Sequence, residues 1–348
     1  MALRENRGFH PILEDDHPYL FIDTCMQSWP DADYGIAHQH GVTGYAVTAF
    51  RPHSNFDNAL EDLMYWHLLA RTHENLRVAT TAEHLENAKT QRISAFILAA
   101  QGGDWIEDRL HRIEAFQRLG LRMLIFAYNS SNMLAAGCLD NGDDGLTALG
   151  EVAVQECNRT GIIIDCSHLG KRSSLDCINL SEAPVVFSHS NVNALVSNPR
   201  NIDDEQIREC AARGGVICLA PWAPLVLPEH KTEWPDINDF IDHIDYVADL
   251  TGSTDHIGIG TDMSLGSYPI RLPDPWGQAT SLSEVTAHYD QAVTNDLRSP
   301  KQSLADFNSY PQIVGLADAL EARGYSASDI DKMLGRNYLR IAKKVWRA

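Results

Sequence analysis

Gly161-Ile162-Ile163-Ile164-Asp165-Cys166-Ser167-His168 and, after one helix-length segment, Ala183-Pro184-Val185-Val186-Phe187-Ser188-His189-Ser190 are the stretches that decide how this chain folds. Each is a short β-branched run that ends in a histidine. Runs that are apolar throughout, rather than alternating, are expected of parallel strands buried on both faces. The segment 169–179 between them has the length and pattern of a crossover helix. A crossover returns the chain to the same edge of the sheet. His168 and His189 are therefore expected side by side at that edge, and two imidazoles held this way make half of a metal site.

Similar runs recur along the chain, at 19–25, 43–50, 94–100, 121–127, 161–167, 184–188, 215–220 and 256–261. Helical patterns follow many of them, at 59–72, 106–119, 146–159, 169–179, 203–213 and 237–250. Asp203-Asp204-Glu205 supplies an acidic first turn, Gly214 a stop, and Asp104 a candidate N-cap. Eight strands alternating with helices predict an α/β fold, a (β/α)8 TIM barrel, with a doubly wound open sheet as the competitor. Residues 1–348 read as a single barrel domain. A loop-like, Pro/Ser/Asp-rich insertion falls at about 268–301, and C-terminal helices at 326–345.

The 348 residues are 44% hydrophobic, enough for a large core, and carry a formal net charge of −19. With no basic patch to offset that charge, neither nucleic acid nor an anionic membrane surface is an expected partner. No run reaches the roughly 18 apolar residues of a membrane span, and the first residues are polar rather than signal-like. Seven scattered cysteines without a CxxC pair suggest a reduced, cytoplasmic protein.

Barrel enzymes place their chemistry at the C-terminal ends of the strands. Here those ends offer Cys25 and Gln27, His53, Gln101, Tyr128 and Asn129, His168, His189 and Asp262. Neutral imidazole suits zinc or another first-row ion, and Asp262 could either ligate that ion or take a proton from its water. His53 is on the correct rim to meet a substrate, though a plain surface role fits it equally. His38 and His40 precede their strand and so belong to the opposite rim. His67, His73, His84 and His111 fall in polar helical segments and are expected to be solvated.

Several of these motifs together resemble the membrane (renal) dipeptidase family. They are Asp-Cys-Ser-His at 165–168, Ser-His-Ser at 188–190, Pro199-Arg200-Asn201 with Asp203, and Gly-Ile-Gly-Thr-Asp at 258–262. Gly145-Leu146-Thr147, Asn158 ahead of Gly161, and Leu334-Gly335-Arg336-Asn337 fit the same pattern, so the likeness runs from about residue 20 to 345. It implies an amidohydrolase-type barrel with two zinc ions bridged by a carboxylate and a hydroxide. It also implies that His168 and His189 hold the second ion, that Asp262 is the acid/base, and that Arg200 grips a substrate carboxylate, with Asn129 beside it.

The chain departs from the family at the other ion. The family's Asp-x-His-x-Asp is Asp23-Thr24-Cys25-Met26-Gln27 here, so Cys25 and Gln27 stand at ligand positions. The bridging Glu of a Glu-Gly pair is matched by Gln101-Gly102, and the His of Thr-His-Asn by Tyr128 in Ala127-Tyr128-Asn129. A neutral amide does not offset the repulsion between two cations, so one divalent ion, zinc by the resemblance, is expected. Three readings follow. The first is a one-metal hydrolase or related lyase for a small carboxylate-bearing amide or dipeptide-like molecule, with Tyr128 facing the oxyanion. The second is a metal-independent enzyme with Cys25 as nucleophile, and the third a non-catalytic barrel that binds a small molecule or partner. The resemblance leaves a homodimer open, with no residues to define its interface.

Overall fold

The computed structural model describes residues 18–28, 32–227, 231, 233–265 and 303–347. The insertion expected at 268–301 lies outside them. Among the described residues every strand-to-strand pairing is parallel. The strands are β1 (Phe21–Ser28), β2 (Val42–Thr48), β3 (Leu76–Val78), β4 (Ser94–Gln101), β5 (Leu121–Ile125), β6 (Ile163–Asp165), β7 (Val186–Phe187), β8 (Val216–Leu219), β9 (Ile257–Ile259) and β10 (Met263–Leu265). They follow the order β10-β1-β2-β4-β5-β6-β7-β8-β9, with β3 a short addition against β4.

The two ends of that order are two halves of one stave. β9 pairs with β8 and β10 pairs with β1, and only Gly260-Thr261-Asp262 separates them. The stave is broken at its middle and closes the barrel from both sides, which gives the expected (β/α)8 architecture. Gly260 is required at the break, because a Cβ there would lie 1.8 Å from the Ser188 carbonyl oxygen and 2.7 Å from Thr24 Oγ1. Thr24 Oγ1 itself lies 2.7 Å from the Ser188 carbonyl and 3.0 Å from that of Ile259, so it ties β1 to the ends of β7 and β9.

Inward-facing side chains on the staves are small or medium (Ala46, Ala95, Ile97, Ala99, Ile163, Val186, Val216), whereas Phe96, Leu98 and Phe187 face the helices. The helix Asn337–Val345 packs Tyr338, Leu339, Ile341 and Ala342 against the inward set and seals the N-terminal end of the barrel. Leu334-Gly335-Arg336-Asn337 forms this seal. A Cβ on Gly335 would lie 2.3 Å from the Leu20 carbonyl, and Asn337 Nδ2 donates to the carbonyls of Thr254 and Ile257. No helix among the described residues is long and apolar enough to cross a membrane.

Helix starts follow their capping chemistry. Thr147 caps Ala148–Thr160, and Asp203 closes a capping box with Gln206 at the head of Asp204–Ala212. Asp104 does not cap. It begins a short 3-10 turn, Asp104–Ile106, and the following helix is His111–Arg118. His67 is not simply solvated either, since its Nε2 lies 2.6 Å from the Leu119 carbonyl.

Asp23 ties the broken stave to β1. Its fully buried carboxylate accepts from Thr261 N (2.8 Å), Thr261 Oγ1 (2.6 Å), Cys25 N (3.1 Å) and Tyr310 Oη (3.0 Å). Burial outweighs these donors and raises the group from 3.8 to about 6. A carboxyl raised in the fold stabilises it fully below the unfolded value of about 4, and that contribution is lost as pH rises through 6. The displacement corresponds to about 3 kcal/mol. Asp23→Asn keeps the shape and carries no charge, so it is expected to flatten the loss of stability between pH 4 and 6. Urea melts of both proteins across that window check this; parallel slopes would contradict it.

Candidate functional site

Four residues at the C-terminal ends of the staves adopt left-handed backbone: His53 (φ 63°), Asn129 (64°), His168 (66°) and Asp262 (50°). Non-glycine residues are rarely held so, and such strain concentrates at functional sites. It turns these side chains across the mouth, where a continued strand would have sent them along a face.

His168 and His189 meet as their strands predict, with Nε2 atoms 2.7 Å apart. Asn129 Oδ1 lies 2.6 Å from His168 Nδ1 and can only accept, so His168 carries its proton on Nδ1 and offers Nε2 as a lone pair. Ser188 Oγ, 2.7 Å from His189 Nδ1, can either donate to it or accept from it. Two bare lone pairs at 2.7 Å repel, so the gap suits a shared proton, and it is too short for an ion on the line between the two nitrogens, since each zinc–nitrogen bond runs about 2.0–2.1 Å. Burial, then the nearby Arg200 charge, holds both rings well below the usual imidazole range, with each other's charge adding to the effect at His168. Neutral imidazoles of fixed tautomer are the form that binds metal.

The first-strand positions are differently built. Gln27 Nε2 donates to Asp262 Oδ1 at 2.9 Å, the Cys25 thiol points to the same oxygen at 3.6 Å, and Gln101 Nε2 donates to Cys25 Sγ at 3.3 Å. A hydrogen-bonded set of neutral groups, Cys25, Gln27 and Gln101, is therefore gathered around Asp262. Among the described residues, no group of three or more His, Cys, Asp or Glu is placed to hold a metal ion. The two imidazole nitrogens could supply part of one ion's donor set, whereas neutral Cys25, Gln27 and Gln101 lack the carboxylates that a two-ion centre needs. Burial, then the charges of Asp262, Asp23 and Asp165, raises the Cys25 thiol far above its ordinary value, which opposes a thiolate nucleophile.

Desolvation raises the carboxyl of half-buried Asp262 despite Gln27, the Arg200 charge and Cys25. Arg200 is itself buried, its Nη2 donating to the His189 carbonyl at 3.1 Å. It lines a cavity of about 240 Å³ with His168, Cys138, Ser190, Asn201 and Gln206. Tyr128 stacks on His168, ring centres 4.1 Å apart, and walls the imidazole pair from one side. Cys25, Gln27, Gln101, His168, His189, Arg200 and Asp262 thus converge as expected, and Asn129 turns its oxygen to His168. His38 lies away from this rim, its Nδ1 2.6 Å from Ser94 Oγ at the start of β4.

The sequence did not single out Tyr310 or Thr24. Tyr310 carries no motif and reaches Asp23 from 287 residues away, so only the fold could reveal it. Asp104, which has the sequence signature of a cap, faces His53 instead.

A family model described as membrane dipeptidase (Peptidase family M19) matches residues 30–291. Dipeptidase tcpJ of Claviceps purpurea is 27% identical over 255 residues, which is 72% of this chain and 51% of that protein. The match thus spans about half the length of that relative. Among solved structures, an amidohydrolase from Pseudomonas aeruginosa superposes with a TM-score of 0.80 at 24% identity, covering 94% of this chain and 97% of that one. A metallo peptidase from Rhodobacter sphaeroides, liganded with a phosphinate mimic of the dipeptide L-Ala-D-Ala, gives 0.75 at 21% identity, covering 91% and 90%.

Proposed function

The chain belongs to the membrane dipeptidase family, and from that premise we propose that it hydrolyses the amide bond of a small, carboxylate-bearing, dipeptide-like substrate with a single divalent ion, zinc. The observation that carries this reading is the convergence of two neutral imidazoles, His168 and His189, beside the half-buried Asp262 carboxylate of raised pKa. His168 and His189 would hold the ion. When bound, such an ion supplies Lewis acidity and lowers the pKa of water to about 7.

The chain's own residues supply the rest. Arg200 grips the substrate carboxylate through its guanidinium fork. Asp262, made more basic by burial, takes a proton from the attacking water as the C–O bond forms. It returns that proton to the amine nitrogen as the C–N bond breaks. Tyr128 donates a hydrogen bond to the carbonyl oxygen as it gains charge.

The test is turnover of simple dipeptides after chelation and after return of zinc. Loss followed by recovery, at one ion per chain, is expected. Cys25→Ser is expected to keep wild-type turnover, because its thiol is held protonated. Chelator-resistant turnover abolished by Cys25→Ser would establish the thiol mechanism instead, and a chain with neither ion nor turnover would refute hydrolysis.

A further inference from the structure

We propose that His53 is a further catalytic residue, an imidazole N–H donor to the substrate's carbonyl oxygen, resting on the hydrolytic reading above. Tyr128 occupies the position where the resemblance expects a histidine, and a phenol donates one hydrogen bond without an imidazole's capacity for charge. A second imidazole stands directly beside it. The His53 and Tyr128 rings meet edge to face with centres 6.1 Å apart, and Tyr128's stacking partner is His168. His53 therefore shares the mouth with Tyr128, the ring placed here against the substrate's carbonyl oxygen.

Its placement is built from three staves. His53 Nδ1 lies 3.5 Å from Asp104 Oδ2, and Asn132 Nδ2 donates to that same oxygen at 3.3 Å and to the Phe126 carbonyl at 2.7 Å. The loops after β2, β4 and β5 thus form an amide–carboxylate–imidazole series that ends at the mouth. Gly102 beside them adopts φ 152°, a backbone conformation that residues with a side chain rarely take. With Nδ1 turned to the carboxylate, Nε2 is the nitrogen presented away from it. The side chain keeps 36% of its surface exposed, unlike the buried pair.

The experiment compares wild type, His53→Gln, His53→Gly and Asp104→Asn, each assayed for ion content, melting temperature, kcat and KM. Glycine suits a φ of 63°, so His53→Gly is expected to fold. Loss of an oxyanion donor lowers kcat on the order of 100-fold, so His53→Gln should fall by that amount with KM and ion content retained. Asp104→Asn should fall less, and free imidazole should restore turnover to His53→Gly in a saturable way. Wild-type kcat in His53→Gln would overturn the proposal, as would a loss that imidazole does not rescue. Failure of the hydrolytic reading is distinguishable, because wild type would then not turn over with any ion.

Discussion

His189→Ala is expected to abolish both ion binding and hydrolysis. The Nε2 atoms of His168 and His189, the two ligands proposed for the ion, face each other at 2.7 Å. With one ring gone, His168 alone remains. Loss of a mere outer partner of a metal ligand costs about 10–100-fold in affinity or activity; loss of the ligand should exceed that range. The variant should still fold, because the backbone around the site is held independently. Ser188 N donates to Asp165, His189 N to Ser167 Oγ, and Arg200 grips the His189 carbonyl. Metal analysis, turnover and thermal melting on the same preparation make the check. Undiminished ion content would show that the ion, if present, sits elsewhere.

The route from sequence to site explains why one half of the mouth was legible and the other was not. The β-branched runs that form β6 and β7 each lead into a histidine within three residues, so strand direction and crossover geometry bring His168 and His189 together. The eighth stave was harder. Its first half reads as a strand ending at Thr261, but its second half, Met263–Leu265, is three residues long and carries no periodicity of its own. Its pairing with β1 is decided by closure of the barrel, a tertiary constraint. Asp104 failed for a related reason. A carboxylate ahead of a helical pattern has the signature of a cap, and only the approach of the β2 loop gives it a histidine instead. Conversely, the substitutions at Cys25, Gln27 and Gln101 were visible as residue types. What the fold adds is that they bond to one another and to Asp262, so the altered positions form a connected network rather than scattered losses.

Asp262→Asn should separate binding from chemistry. Asparagine matches the carboxylate in size, and its oxygen can still accept from Gln27 Nε2, now 2.9 Å from Oδ1. The backbone bond from Asp262 N to the Cys25 carbonyl at 2.8 Å is untouched, and asparagine tolerates the left-handed conformation. Folding, ion content at the imidazole pair and substrate capture by Arg200 should therefore persist. An amide cannot accept the proton of the attacking water, so kcat should fall by about 10²–10⁴-fold, the range of a lost general base. The wild-type pH profile carries the same signature. Asp262 is active ionised, and burial raises its pKa, so turnover should decline as pH falls, beginning above the ordinary carboxylate range. That acid limb should be absent from the residual activity of the variant. Wild-type kcat in Asp262→Asn, or an unchanged acid limb, would remove Asp262 from the chemistry and leave it as a structural partner of Gln27.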